Sequence, residues 1–219
     1  MTSLILLHGI GTGPSAWEPQ VEELSRDREV LVPDLVPAYR RGLGAAVEEV
    51  HRIASSHWPV TLCGLSLGAL VAMRVAAERV ADDDTLVVCA GFDRLPPAIR
   101  RRVRGLAAIS RFMPQGVLQR QLVSDLPEPH RSRALEEIAP LRPRELSRLM
   151  WEAAGFELDR GLVVGRTLVL CGDRDKPNLP LARALAQRAP NATLALVPAA
   201  GHVANLDNPA AFSALLASS

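Results

Sequence analysis

The chain has almost no surplus of charge: 25 Lys and Arg stand against 24 Asp and Glu, a formal net charge of +1. A balance that even gives no electrostatic footprint for capturing nucleic acid. Long apolar runs are missing too. Apolar residues make up 48% of the 219 residues, yet no segment reaches the roughly 20 uninterrupted apolar residues that span a bilayer. Cysteine is scarce. Cys63, Cys89 and Cys171 are an odd, scattered set at the ends of apolar runs. They lack the paired spacing of a disulfide framework or a zinc site, and read as buried reduced thiols. Lysine is nearly absent, with Lys176 alone among 25 basic residues, a bias of coding rather than of chemistry. The start of the chain enters Ser3-Leu4-Ile5-Leu6-Leu7 without a basic region or a cleavage pattern. That argues against a secretory leader and for a cytoplasmic protein.

What the chain does have is alternation. Apolar, partly β-branched runs at Ser3 to His8, Glu29 to Val32, Val60 to Cys63, Thr85 to Cys89, Arg166 to Cys171 and Ala192 to Val197 read as strands. Helical patterns separate most of them, at about Ser15 to Leu24, Leu43 to Ser56, Ala69 to Arg79 and Leu179 to Arg188, and a last one runs from Pro209 to Ser218. Strands alternating with helices predict an α/β fold, a mostly parallel sheet covered on both faces, in one domain of this length. Between Phe92 and Arg160 the alternation stops. Short helical patterns at Ala98 to Ile109, Gly116 to Val123, His130 to Ile138 and Pro143 to Ala154 follow one another without a convincing strand.

Gly64-Leu65-Ser66-Leu67-Gly68 joins the third strand to the helix after it. A serine in so sharp a turn holds its hydroxyl above the sheet edge, and helix-terminal N–H groups lie beside it. Small glycines on both sides permit the close approach. A hydroxyl is a weak nucleophile and needs a base, itself held by an acid. Asp173 and Asp175 follow the fifth strand in Gly172-Asp173-Arg174-Asp175, and His202 follows the sixth in Gly201-His202. Ser, Asp and His thus come in the chain order of a nucleophile elbow, each past the C-terminal end of a strand.

Leu6-Leu7-His8-Gly9, the elbow at Ser66, Gly172 to Asp175 and Gly201-His202 together resemble the α/β-hydrolase family, in particular its compact esterase and lactonase-like members. The resemblance spans nearly the whole chain. It implies a minimal hydrolase core at residues 1–91 and 161–219, without the family's N-terminal antiparallel hairpin, and a helical cap at 92–160. It selects Asp175 over Asp173 as the acid, with Asp93, past the fourth strand, as a third candidate. It assigns oxyanion-hole N–H groups to Ile10 and Leu67 and gives His8 a structural part in that loop. The continuation Pro37-Ala38-Tyr39-Arg40-Arg41 departs from the family's usual pattern and leaves the pocket wall there undefined.

The implied activity is cleavage of a small ester, lactone or thioester through an acyl-Ser66 intermediate, with His202 as base, Asp175 as its partner, and no metal or organic cofactor. The same constellation serves carbon–carbon bond hydrolysis and some eliminations, and a few proteins of this fold are ligand receptors or scaffolds. The cap segment holds thirteen arginines against nine carboxylates, concentrated at Arg100-Arg101-Arg102 and Arg104. These read either as a solvated face or as a docking surface for an acidic carrier or an anionic substrate group. Apolar cap residues, among them Leu106, Phe112, Leu149, Met150 and Trp151, are candidates for an acyl pocket.

Overall fold

The computed structural model describes residues 2–78, 83–158 and 165–218. Among them six strands form one sheet: β1 (Ser3–Leu7), β2 (Val30–Leu31), β3 (Val60–Leu65), β4 (Thr85–Cys89), β5 (Arg166–Gly172) and β6 (Ala192–Val197). Neighbours are parallel throughout, in the order β2-β1-β3-β4-β5-β6. The central strands are apolar without alternation because both faces are covered: Leu4 to Leu7 are fully buried, and so is the whole of β3. The edge strand β2 pairs only through Val30 and Leu31, half the length its sequence pattern predicts.

From β1 the chain steps outward to β2, then returns past β1 to β3 and continues to β6. The loops leaving β1 and β3 therefore diverge, and a crevice opens between their C-terminal ends. In register, Leu7 lies beside Gly64 and Leu65 beside Cys89. The tips of β1, β3 and β4 thus share one edge of the sheet.

The helices are α1 (Glu18–Leu24), α2 (Val36–Tyr39), α3 (Leu43–Ala54), α4 (Leu67–Glu78), α5 (Pro97–Ser110), α6 (Gln115–Leu122), α7 (His130–Ile138), α8 (Pro143–Ala154), α9 (Leu179–Arg188), α10 (Ala204–Asp207) and α11 (Pro209–Ala217). The helix expected from about Ser15 divides into a 3-10 turn at Pro14–Trp17 followed by α1. Pro19 explains the division: its fixed φ suits a first helical turn, while its missing N–H would break a helix interior. Trp17 still anchors the unit, fully buried with its ring 5.8 Å from that of Phe212. The end expected for α4 at Arg79 lies outside the described residues.

Four helices, α5 to α8, lie between β4 and β5, where the sequence pattern shows no strand. The expected end of this segment, at residue 160, falls outside the described residues. Two carboxylates tie it to the sheet domain. Glu137 of α7 accepts from the Ser15 N–H (2.9 Å) and the Ser15 hydroxyl (2.7 Å), and Glu152 of α8 accepts from the Leu43 N–H (2.7 Å) at the start of α3. Both sit at helix N-termini, where free N–H groups and the helix dipole favour negative charge.

Candidate active site

Ser66 stands between β3 and α4 with φ of 55°, a left-handed conformation rare for a residue with a side chain. Its N–H donates to Cys89 O (2.8 Å), and its carbonyl accepts from the Ala69 N–H (3.0 Å), so the turn is fixed from both sides. A Cβ on Gly68 would lie 2.2 Å from Leu7 O. Only glycine there lets α4 start directly against β1.

Asp175 and His202 lie on the loops after β5 and β6. The two loops are bonded together: Asp173 N–H donates to Val197 O (3.1 Å) and Arg174 N–H to Ala200 O (2.9 Å). Gly172 makes this possible, since a Cβ there would meet Gly201 O at 2.2 Å. The outcome is a continuous line of contacts. His202 Nε2 is 3.1 Å from Ser66 Oγ, and His202 Nδ1 is 3.1 Å from Asp175 Oδ2. Asp175 is nearly buried, and His202 is about a third exposed (37% for its side chain). Burial pushes the Asp175 carboxyl up, but hydrogen bonds from His202 and Asn178 outweigh it and hold the group below its ordinary value. It is therefore charged at neutral pH, as a partner for imidazolium must be.

The two other carboxylates considered from sequence lie elsewhere. Asp173 is exposed. Asp93 is clamped by Arg188, through Nε at 2.7 Å and Nη2 at 2.5 Å. Burial pushes its carboxyl up, yet the arginine holds it below the usual range.

Asn178 was not singled out by its sequence. It precedes α9, and its Nδ2 lies 2.9 and 2.8 Å from the two Asp175 oxygens and 3.2 Å from His202 Nδ1. Its position three residues after Asp175 was the only available signal, and an asparagine in a turn has many other uses.

His8 is fully buried in the loop after β1. Its Nε2 accepts from the Leu35 N–H (3.0 Å), so the proton sits on Nδ1, which donates to Gly9 O (2.9 Å). Burial depresses its pKa. The Pro37 to Arg41 stretch, whose part in the pocket wall the sequence left undefined, does not line the cavity; instead α2 places the buried Tyr39 hydroxyl 2.7 Å from His8 O, as donor. Gly9 N–H donates to Thr12 Oγ1 (3.2 Å). These bonds set the course of the loop carrying Ile10.

Ile10, Ser66 and Leu67 share one cavity of about 530 Å³, within the range of small-molecule sites. The core side of the cavity is completed by Leu70 and Leu181. Its roof comes from α5 and α8, through Ile99, Val103, Leu106, Leu149 and Met150. Of the apolar residues considered for a pocket, Leu106, Leu149 and Met150 line it. Phe112 and Trp151 are exposed instead. A larger groove of about 780 Å³ between α3, α4, α5 and α8 contains neither Ser66 nor His202, so the smaller cavity is the one joined to the chemistry. The arginine cluster is not a uniform patch: Arg100 pairs with Glu157, Arg104 lies 4.9 Å over the Trp151 ring, and Arg102 lines the cavity.

The three thiols are buried and unpaired. Burial raises them all, Cys171 to about 11, so none supplies a thiolate nucleophile. No helix among the described residues is long and apolar enough to cross a membrane.

The chain belongs to the alpha/beta hydrolase family, whose model matches residues 4–215. It is similar to the structure of a thermophilic esterase from Thermogutta terrifontis, at TM-score 0.77 and 22% identity over 100% of this chain and 89% of that one. An enol-lactonase from Burkholderia xenovorans LB400 gives TM-score 0.79 at 18% identity, over 99% and 90% of the two chains. MenH from S. aureus gives 0.77 at 18%, over 99% and 92%. At such identities the likeness is one of fold.

Proposed function

We propose that this alpha/beta hydrolase is a serine hydrolase that cleaves a small carboxylic ester, lactone or thioester with an apolar portion. The observation that carries this reading is the line from Ser66 Oγ through His202 to Asp175, with both contacts at 3.1 Å, on the floor of an apolar cavity. In the neutral imidazole, Nδ1–H donates to Asp175 and leaves the Nε2 lone pair facing the Ser66 hydroxyl. His202 removes that proton as Oγ attacks the substrate carbonyl, and Asp175 stabilises the imidazolium. The oxyanion is received by the N–H groups of Leu67, which as the first residue of α4 has no intrahelical acceptor, and of Ile10. His202 then protonates the leaving alcohol or thiol. In the second half it activates water, which releases the acid from Ser66. Every step uses side chains and backbone of this chain, and no cofactor enters the scheme.

In this reading the segment that carries α5 to α8 is a cap that roofs the site and selects the substrate, which is supported by the walls that α5 and α8 contribute. Three unpaired buried thiols fit a reducing compartment such as the cytoplasm. The test is a panel of aryl esters, lactones and thioesters assayed with wild type and Ser66→Ala. We expect a burst of released alcohol or thiol matching the enzyme concentration, and a loss of about 10⁴–10⁶ in kcat for Ser66→Ala. Turnover undiminished in Ser66→Ala would refute the acyl-serine route.

A further inference from the structure

The face of α5 that lines the cavity is Ile99, Arg102, Val103 and Leu106, spaced i, i+3, i+4 and i+7 as one apolar stripe of a helix would be. Arg102 breaks the stripe. It is the one charged residue lining the cavity. The two polar residues beside it are already engaged, Ser66 with His202 and Asn178 with Asp175.

Of the neighbouring arginines of α5, Arg101 does not line the cavity, and the other two are engaged. Arg100 pairs with Glu157, and Arg104 stacks on Trp151. Arg102 has no hydrogen-bond or ion-pair partner among the described residues, and it is exposed. An arginine stem covering apolar wall would account for the packing. It leaves Arg102 as the one charge among the residues lining the cavity, without a counter-charge there, and its planar fork suits a carboxylate.

We propose that Arg102 is an anion-binding group for the substrate, and that the substrate is an ester, lactone or thioester whose apolar portion carries a carboxylate remote from the scissile carbonyl. The proposal rests on the reading of Ser66 as nucleophile and names the substrate class of that site. The cavity takes the apolar portion between α4 and the α5–α8 roof. The carboxylate then meets Arg102 while the carbonyl reaches Ser66.

The test compares monomethyl suberate with dimethyl suberate, two ligands alike except for one free carboxylate. Binding is measured by titration calorimetry on Ser66→Ala protein, so that nothing is consumed, and again on the Ser66→Ala, Arg102→Met double variant, which keeps an apolar stem without the charge. The half-acid should bind about tenfold more tightly than the diester. That gap should close in the double variant and shrink in high salt. Equal affinities for the two ligands, or a gap that survives Arg102→Met, would overturn the proposal. Release of methanol by the Ser66-intact protein is followed in parallel. A binding gap without any turnover would sink the hydrolase reading and leave the anion site standing, whereas turnover without a gap would do the reverse.

Discussion

Asn178 shares an oxygen of Asp175 with His202. With its amide against both carboxylate oxygens, it holds part of the negative charge that would otherwise face the imidazole alone. Removing it concentrates that charge on His202. For Asn178→Ala we expect roughly a tenfold fall in kcat/KM near neutral pH, carried by kcat. An unchanged kcat would contradict a positioning part for Asn178. Ser66, His202 and the pair Asp173 and Asp175 were legible in the sequence because each follows a run of strand type, so the topology brings them to one edge; choosing Asp175 over Asp173 took the family resemblance. Asn178 was not, because its use depends on how the loops after β5 and β6 lie against each other. Arg102 was legible only as one charge in a basic cluster, and its place on the cavity face of α5 emerged with the packing.

Close approach governs the elements. Gly68→Ala would drive a methyl to within 2.2 Å of Leu7 O, and no flexible side chain is there to give way. We expect a loss of more than about 3 kcal/mol, seen as a large fall in Tm or failure to fold. Full stability for Gly68→Ala would mean that α4 is not seated on β1 as described. The ties between α5–α8 and the sheet domain are milder. Glu137→Ala strips the 3-10 turn at Pro14–Trp17 of its acceptor and should cost about 1–2 kcal/mol in a denaturant titration. An unchanged midpoint would contradict that contact. Runs of apolar residues made five of the six strands legible nearly to their ends; in the central strands burial on both faces leaves a continuous pattern, while the edge strand β6 is apolar though partly exposed. The short helices α2 and α10 were not foreseen: four residues are too few to show a helical period.

For the molecule as a whole, acid sensitivity follows from His8. Buried and accepting a hydrogen bond at Nε2, it takes up a proton less readily folded than unfolded, its pKa being depressed below 6.5. The unfolded chain thus binds more protons as pH falls through 6.5, and stability declines there, by up to about 1.4 kcal/mol per pH unit for one group. Asp93 and Asp175, both held below 3.8, add their loss further down, as pH falls through their depressed values. Urea midpoints between about pH 7 and 5 should fall in wild type and change less in His8→Gln, which removes this titration. Identical slopes would clear His8 of the effect.

The central claim is that Ser66 is a nucleophile activated by His202, and intact-protein mass after exposure to a small fluorophosphonate tests it most directly. We predict a single adduct on wild type, none on Ser66→Ala, and much slower labelling of His202→Ala. An adduct that persists in Ser66→Ala, or a wild type that stays unlabelled while its ester panel is also silent, would contradict the account.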